Sequence, residues 1–313
     1  MKENNPQNSL LPCESCEGKL FSTVCDRQDG SVIVRCGQCG LEFVNPLPSE
    51  ESLKKTYLRD MKGDTEKDPY FKEYIEERTE RGRSFDKVYR TRLELIESFH
   101  GKKGSLLDLG CGAGFFLQYA KNRGWSGHGL DILPEYINYG KNTLHLENLH
   151  CGPLESATYE KESFDVVTLW DLIEHLQHPL TYLRDIQKLL RPGGLMVIWT
   201  PNNKNAVYLK DQWTGYWPRQ HLYFFSRDTL GHLLGKAGFK ILDCKTTKTK
   251  KGLLLSQDSL DFKKILKPDR WLARSLFAAR RDLKNFLNPL TYLSPLLDRA
   301  GYGFNLLVIA SRQ

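Results

Sequence analysis

The segment Leu106-Leu-Asp-Leu-Gly110-Cys-Gly112-Ala-Gly114 constrains this chain more than any other. An apolar strand ends in an acid, and three glycines at alternate positions carry the backbone into a helix opening near Phe115. Similar short apolar runs recur at Ser105 to Leu109, Gly127 to Asp131, Phe164 to Leu169, Leu195 to Thr200, Ile241 to Lys245 and Asn305 to Ser311, with helical patterns between them. The alternation predicts a mostly parallel sheet covered by helices on both faces, a doubly wound α/β domain. Such sheets bind ligands beyond the carboxyl ends of their strands, so the glycine turn marks where a ligand belongs.

The spacing also says something about the ligand. A dinucleotide fingerprint reads G-x-G-x-x-G and holds pyrophosphate at a helix N-terminus. Here the spacing is G-x-G-x-G with Asp108 just before it, and the next strand also ends in an acid, Asp131. Two carboxylates at successive strand ends suit a cationic ligand with ribose hydroxyls better than a phosphate.

Ahead of this domain, Cys13-x-x-Cys16 and Cys36-x-x-Cys39 enclose nineteen residues. Paired knuckles at that spacing place four thiolates tetrahedrally around a structural zinc ion. Ser31 to Arg35 reads as a strand entering the second knuckle, Gly37 and Gly40 permit the tight turns, and Cys25 stands outside the set. No export signal precedes these cysteines and no run approaches the roughly twenty apolar residues of a spanning helix, so the expected location is the cytoplasm, where thiols stay reduced.

The expected layout is a disordered tail over 1–12, the zinc ribbon over 13–48, a helical linker or cap over 49–104, and the ligand-binding domain over 105–313. Pro46 and Pro48 close the ribbon, and Val88, Leu93, Leu95, Ile96 and Phe99 give the one helical stripe in the polar stretch before Gly101. The net charge of +7 is concentrated: residues 245–300 hold thirteen Lys or Arg against five Asp, a local +8. This basic helical insertion carries Trp271, Leu276, Phe277 and Phe286 among its cations over 262–290, which suits peripheral contact with the inner membrane face or, equally, a solvated face or a homodimer partner.

Further pieces stand in order along the chain: Phe164-Asp-Val-Val167, Asp171-Leu-Ile-Glu174-His175, and the turn Leu190-Arg-Pro-Gly-Gly194 before a strand ending Thr200-Pro-Asn202. With the glycine turn and Asp131 they make the chain resemble the class I S-adenosylmethionine-dependent methyltransferases from about Leu106 to Arg312. The resemblance implies a Rossmann-like, doubly wound, seven-stranded, mostly parallel sheet with S-adenosylmethionine as cofactor, beside the structural Zn2+ of the ribbon. It implies that Asp108, Gly110 and Gly112 line the methionine end, Asp131 the ribose, Leu154 and Glu155 the adenine and Trp170 the sulfonium. Cys111, Gly114, Ile132, Asp171 and His175 complete the expected cofactor site.

Methyl transfer needs alignment and exclusion of water, and a base helps where the acceptor is a hydroxyl or an acidic carbon. His221, in Tyr216-Trp-Pro-Arg-Gln-His221-Leu-Tyr223-Phe-Phe-Ser226, lies where relatives cover the acceptor, and His221 and Tyr223 are the expected catalytic residues. The aromatics Trp213, Tyr216, Trp217, Tyr223, Phe224 and Phe225 are expected to wall a ring-shaped acceptor.

Ribbon, domain and histidine loop together are similar to bacterial glycan and natural-product enzymes, including nucleotide-sugar methyltransferases. The leading acceptor is therefore a small molecule or saccharide: a sugar, a nucleotide sugar or a lipid-linked saccharide, methylated on oxygen or carbon. Three alternatives stand beside it: a quinol or natural-product O-methyltransferase, an RNA methyltransferase, and a non-catalytic interaction protein on the same fold. The RNA reading is the weaker for two reasons. The ribbon holds Lys19, Arg27 and Arg35 against Glu14, Glu17, Asp26 and Asp29, and Trp170-Asp-Leu-Ile173 replaces the Pro-Pro-aromatic signature of base-nitrogen methylation.

Overall fold

The structure is a computed structural model that describes residues 10–27, 30–53, 69–206, 213–216, 220–247 and 295–313. The expected interfacial helix over 262–290 lies outside the described residues, as does most of the tail. Leu11, expected in that tail, is instead pinned: its backbone N–H and C=O exchange hydrogen bonds of 3.0 Å each with the Asn45 side chain.

Three short strands open the chain: β1 (Phe21–Asp26), β2 (Val32–Cys36) and β3 (Glu42–Val44). Helices α1 (Pro69–Glu80) and α2 (Gly82–His100) follow. The domain then runs β4 (Ser105–Leu109), α3 (Phe115–Asn122), β5 (Ser126–Asp131), α4 (Pro134–Asn142), β6 (Leu149–Cys151), β7 (Phe164–Trp170), α5 (Pro179–Leu189) and β8 (Leu190–Pro201). It closes with β9 (Tyr223–Phe224), α6 (Arg227–Lys236), β10 (Phe239–Thr247) and β11 (Asn305–Arg312).

The large sheet has seven strands in the order β10-β11-β8-β7-β4-β5-β6. Five neighbouring strands, β8 to β6 in that order, are parallel, and β11 runs antiparallel between β10 and β8. The expected α/β class holds, and the three-residue β6 is the strand that the apolar runs did not reveal. Leu106 and Leu107 show why the strands read as unbroken apolar runs. Leu106 packs with Val166 and Val197 under α2 and α3, while Leu107 packs with Val167 and Ile198 under α5 and α6. Both faces are covered, so neither alternate position is left to water.

Strand β4 is central, and the chain passes from it to β5 and β6 on one side before crossing to β7 on the other. The carboxyl ends of β4, β5 and β7 therefore diverge around a crevice, the switch point of such sheets.

The smaller sheet, β1-β2-β3-β9, is antiparallel throughout. Its fourth strand comes from between β8 and β10 of the large sheet: Glu42 pairs with Phe224 and Phe43 with Tyr223. Cys13, Val34, Leu41 and Phe43 share one buried cluster with Leu183, Leu233 and Tyr223. The ribbon is thus packed into the side of the α/β domain.

Of the expected helical stripe, Leu93 and Ile96 are buried on α2 and Tyr89 joins them, whereas Val88 is 43% and Phe99 37% exposed. The buried face runs through an aromatic that the aliphatic stripe passed over.

Candidate active site and metal centre

The four ribbon cysteines meet at one point: Cys13 Sγ lies 3.5 Å from Cys39 Sγ and Cys16 Sγ lies 3.4 Å from Cys36 Sγ, with all four sulfurs within 4.8 Å of one another. Four sulfurs about 2.3 Å from a tetrahedral zinc stand about 3.8 Å apart, so the cradle fits that ion. The first knuckle is set by Glu17 at φ +62°, donating its N–H to Cys13 O, and the second by Gly40 at φ +76°, donating to Cys36 O. That left-handed turn explains a glycine at position 40.

A cavity of about 810 Å³ opens at the crevice, in the upper part of the ~300–1,000 Å³ range of small-molecule sites. Asp108, Gly110, Cys111, Gly112, Asp131, Ile132, Leu154, Trp170, Asp171, His175 and His221 all line it. Three expected site residues do not. Gly114 sits at the start of α3 at φ +83°, packed on Leu146. Glu155 is exposed on the 3-10 turn Leu154–Ser156, from which only Leu154 faces the cavity. Tyr223 is buried, its hydroxyl donating to Glu14 Oε2 (2.9 Å) and set 3.0 Å from Gln177 O. Pairing of β9 with the ribbon turns that ring away from the cavity.

The expected aromatic wall dissolves in the same way. Trp213, Tyr216, Phe224 and Phe225 are at most 2% exposed, and they pack as core with Ile33, Val44 and the ring of Tyr223. Trp217 lies outside the described residues.

At one end of the cavity the acids are held by local hydrogen bonds. Asp131 accepts the N–H of Gly112 at 2.8 Å on one oxygen and the N–H of Leu133 at 3.0 Å on the other. Gly112 takes φ +55°, and a Cβ there would strike the Tyr74 hydroxyl, so only glycine lets the loop close. Asp108 accepts from Thr168 Oγ1 at 2.6 Å. Burial raises its carboxyl to about 7, against the lowering pull of the Thr168 hydroxyl and Arg92. Burial raises Asp131 as well.

The roof comes from the stretch that reads as plain polar sequence. Tyr74 and Arg78 from α1, with Phe85, Tyr89 and Arg92 from α2, line the cavity. The Arg92 guanidinium lies 4.0 Å over the Trp170 ring, and that of Arg78 lies 3.5 Å over Tyr74. Stacked guanidiniums keep their charge near the acids while their faces stay dry. Aromatic and arginine residues at positions 71, 74, 78, 85, 89 and 92 recur every three to seven residues, a helical-face signal available in the sequence.

At the other end Asp171, at φ +53°, turns the chain sharply after β7 into the 3-10 turn Ile173–His175. His175 Nδ1 lies 3.0 Å from Gln220 O, and His221 Nδ1 lies 2.9 Å from Gly215 O. A carbonyl only accepts, so both rings carry hydrogen on Nδ1 and present Nε2 as the lone-pair nitrogen. The rings meet edge to face with centroids 4.8 Å apart. Burial lowers His175 to about 3 and His221 to about 4, keeping both neutral. Beneath them Glu174 is buried, accepts from Thr200 Oγ1 at 2.8 Å on Oε2, and is raised by burial and by Asp171.

The ribbon reaches this end directly. Arg27, 8% exposed, donates to the carbonyl of His221 at 2.9 Å, and Gln177 donates to Pro48 O at 2.7 Å.

The family profile described as "Methyltransferase domain" matches residues 78–243, just over half the chain. Among curated proteins, a ubiquinone biosynthesis O-methyltransferase of Coxiella burnetii is 30% identical over 123 residues, covering 38% of this chain and 53% of that protein. One of the same name from Cereibacter sphaeroides is 32% identical over 154 residues, covering 45% and 62%. The chain thus spans about half the length of the curated relatives it matches. A solved SAM dependent methyltransferase from Archaeoglobus fulgidus superposes with a TM-score of 0.49 at 19% identity, covering 78% of this chain and 100% of that one.

Proposed function

The chain belongs to the class I S-adenosylmethionine-dependent methyltransferases, and on that premise we propose that it methylates a hydroxyl of a small, ring-shaped acceptor, sugar or phenol. The observation that carries this reading is the polarity of this cavity, with buried acids at one end and two neutral imidazoles at the other.

The residues fit the cofactor. Asp108 and the Gly110-to-Gly112 turn would take the amino-acid end, with Asp108 opposite its ammonium, and Asp131 and Ile132 would take the ribose. Leu154 and Tyr182 offer an apolar slot for the base, and Trp170 a ring face for the positive sulfur. When bound there, S-adenosylmethionine supplies a methyl group activated by its sulfonium.

The chain's own part is alignment and dryness. Helices α1 and α2 close over the crevice with Tyr74, Phe85 and Tyr89, excluding water from the path between the two ends. His175 and His221 flank the acceptor's oxygen, with Nε2 as the acceptor of its hydrogen bond. The names of the curated relatives support oxygen as the methylated atom, while the ribbon and histidine loop support a sugar ring.

Calorimetric titration with S-adenosylmethionine tests the donor end. Wild-type protein should bind, and Asp131→Ala should bind at least about tenfold more weakly, some 1.4 kcal/mol. Binding unaffected by this change would overturn the assignment. An acceptor screen with nucleotide sugars and catechols, read by mass spectrometry, should return a gain of one methyl on oxygen.

A further inference from the structure

We propose that Glu174, His175 and His221 together bind a divalent first-row transition-metal ion, whose remaining coordination positions face the cavity and receive an oxygen of the acceptor. The ion's role rests on reading that end of the cavity as the acceptor's; the site itself rests on the three side chains.

Two imidazoles and one carboxylate converge here from two separate elements. One ligand atom from each lies within 4.8 Å of the other two, and Glu174 Oε1 stands 4.0 Å from His175 Nε2. With bonds of about 2.1 Å, neighbouring donors on one face of an ion stand about 3.0 Å apart. Binding therefore draws the donors in by about 1–2 Å, within reach of side-chain rotations.

Glu174 Oε1 supplies the independent observation. The side chain is 2% exposed, and this oxygen has no hydrogen-bond partner although its twin accepts from Thr200. An orphaned buried carboxylate oxygen is costly, and a cation is the partner that removes the cost. It is aimed at the imidazole pair.

The groups behind the ligands also have the form of a metal site. Each ring is fixed by a backbone carbonyl at Nδ1, the arrangement that orients a ligating imidazole and commits Nε2 to the ion. Leu222 N–H donates to Glu174 O at 2.8 Å, so the strip bearing His221 is tied to the strip bearing the other two ligands.

Two nitrogens and one carboxylate oxygen on one face suit ions such as Mn2+, Fe2+, Co2+ or Zn2+ with positions left open. His175 and His221 line the cavity while Glu174 lies behind them, so the open positions face the acceptor. A hydroxyl coordinated there releases its proton to solvent at lower pH than a free one, leaving an oxygen anion as nucleophile. The imidazoles then act as ligands.

Mn2+ separates this site from the ribbon, because four thiolates select a softer ion. Zinc-loaded protein, purified with one zinc per chain, is titrated with Mn2+ while electron paramagnetic resonance follows the sextet of the free ion. Wild-type protein should remove one equivalent. His221→Gln and Glu174→Gln should each weaken that uptake by at least about tenfold, with the zinc content unchanged. A Glu174→Gln chain that fails to fold leaves His221→Gln, on the cavity wall, to decide. A full sextet at millimolar Mn2+ with wild-type protein, or equal uptake by the variants, would overturn the proposal. Titration of the same wild-type sample with S-adenosylmethionine keeps the two readings apart. Donor binding without Mn2+ uptake sinks the ion site alone, and Mn2+ uptake without donor binding sinks the donor assignment and leaves the ion site standing.

Discussion

Asp108 is a buried acid whose carboxyl is raised to about 7 by desolvation, with Arg92 among the groups that pull it back. A bound ammonium would favour the ionised form, so donor binding near neutral pH should expel a proton. The sign follows: affinity for S-adenosylmethionine should rise with pH up to about 7 and then level, falling by at most about tenfold per unit below it. Calorimetry in two buffers of different ionisation enthalpy would reveal the released proton at pH 6.5 and little at pH 8.5. Removing the neighbouring charge in Arg92→Met should move that profile to higher pH. The same acid makes the ligand-free fold less stable as pH climbs from the unfolded value near 3.8 towards 7, because the folded state holds its proton longer. Both cavity acids were legible in the sequence because a strand end is a fixed address: acids at or next to the carboxyl ends of neighbouring parallel strands meet at the crevice. Tyr223 was not, since its position is decided by Glu14 and Phe43 of the distant ribbon segment, which pull its ring towards the ribbon.

At the scale of elements, the ribbon and the histidine strip act as one unit. Arg27, just beyond β1, holds the His221 carbonyl, and the hydroxyl of Tyr216 donates to the buried Glu42 of β3. Arg27→Ala should therefore leave donor binding intact while weakening turnover, and should cost about 1–3 kcal/mol in urea unfolding through an unpaired buried carbonyl. A change in donor affinity equal to that in turnover would contradict the division of labour. The four cysteines were readable as a ribbon from spacing alone, and six of the seven strands of the large sheet from their apolar runs. The roof over the cavity was not, because α1 and α2 are polar on average and their working face is written in tyrosine and arginine, which an aliphatic stripe ignores. The three-residue β6 escaped for a simpler reason: two of its residues, His150 and Cys151, carry little strand signal.

For the molecule as a whole, ribbon and domain share a core, so neither should be dispensable. A chain beginning at residue 49 would lose Val34, Leu41 and Phe43, each nearly fully buried, at about 1.5–3 kcal/mol apiece. That sum is comparable to the ~5–15 kcal/mol that holds a typical domain together. The truncated chain should be insoluble or elute as aggregate in size-exclusion chromatography, and a monomeric, cooperatively folding product would show the core to be divisible. Among the described residues no helix is long and apolar enough to cross a membrane.

The pairing of β3 with β9 also orders events in time. All four sulfur ligands are in solution once Cys39 has emerged from the ribosome, so zinc can be captured early. The apolar edge at Phe43 and Val44 then waits for its partner until Phe224 emerges, roughly ten to forty seconds later at about 5–20 residues per second. Through that interval a nascent chain carries an open strand edge, the feature by which growing polypeptides adhere to one another.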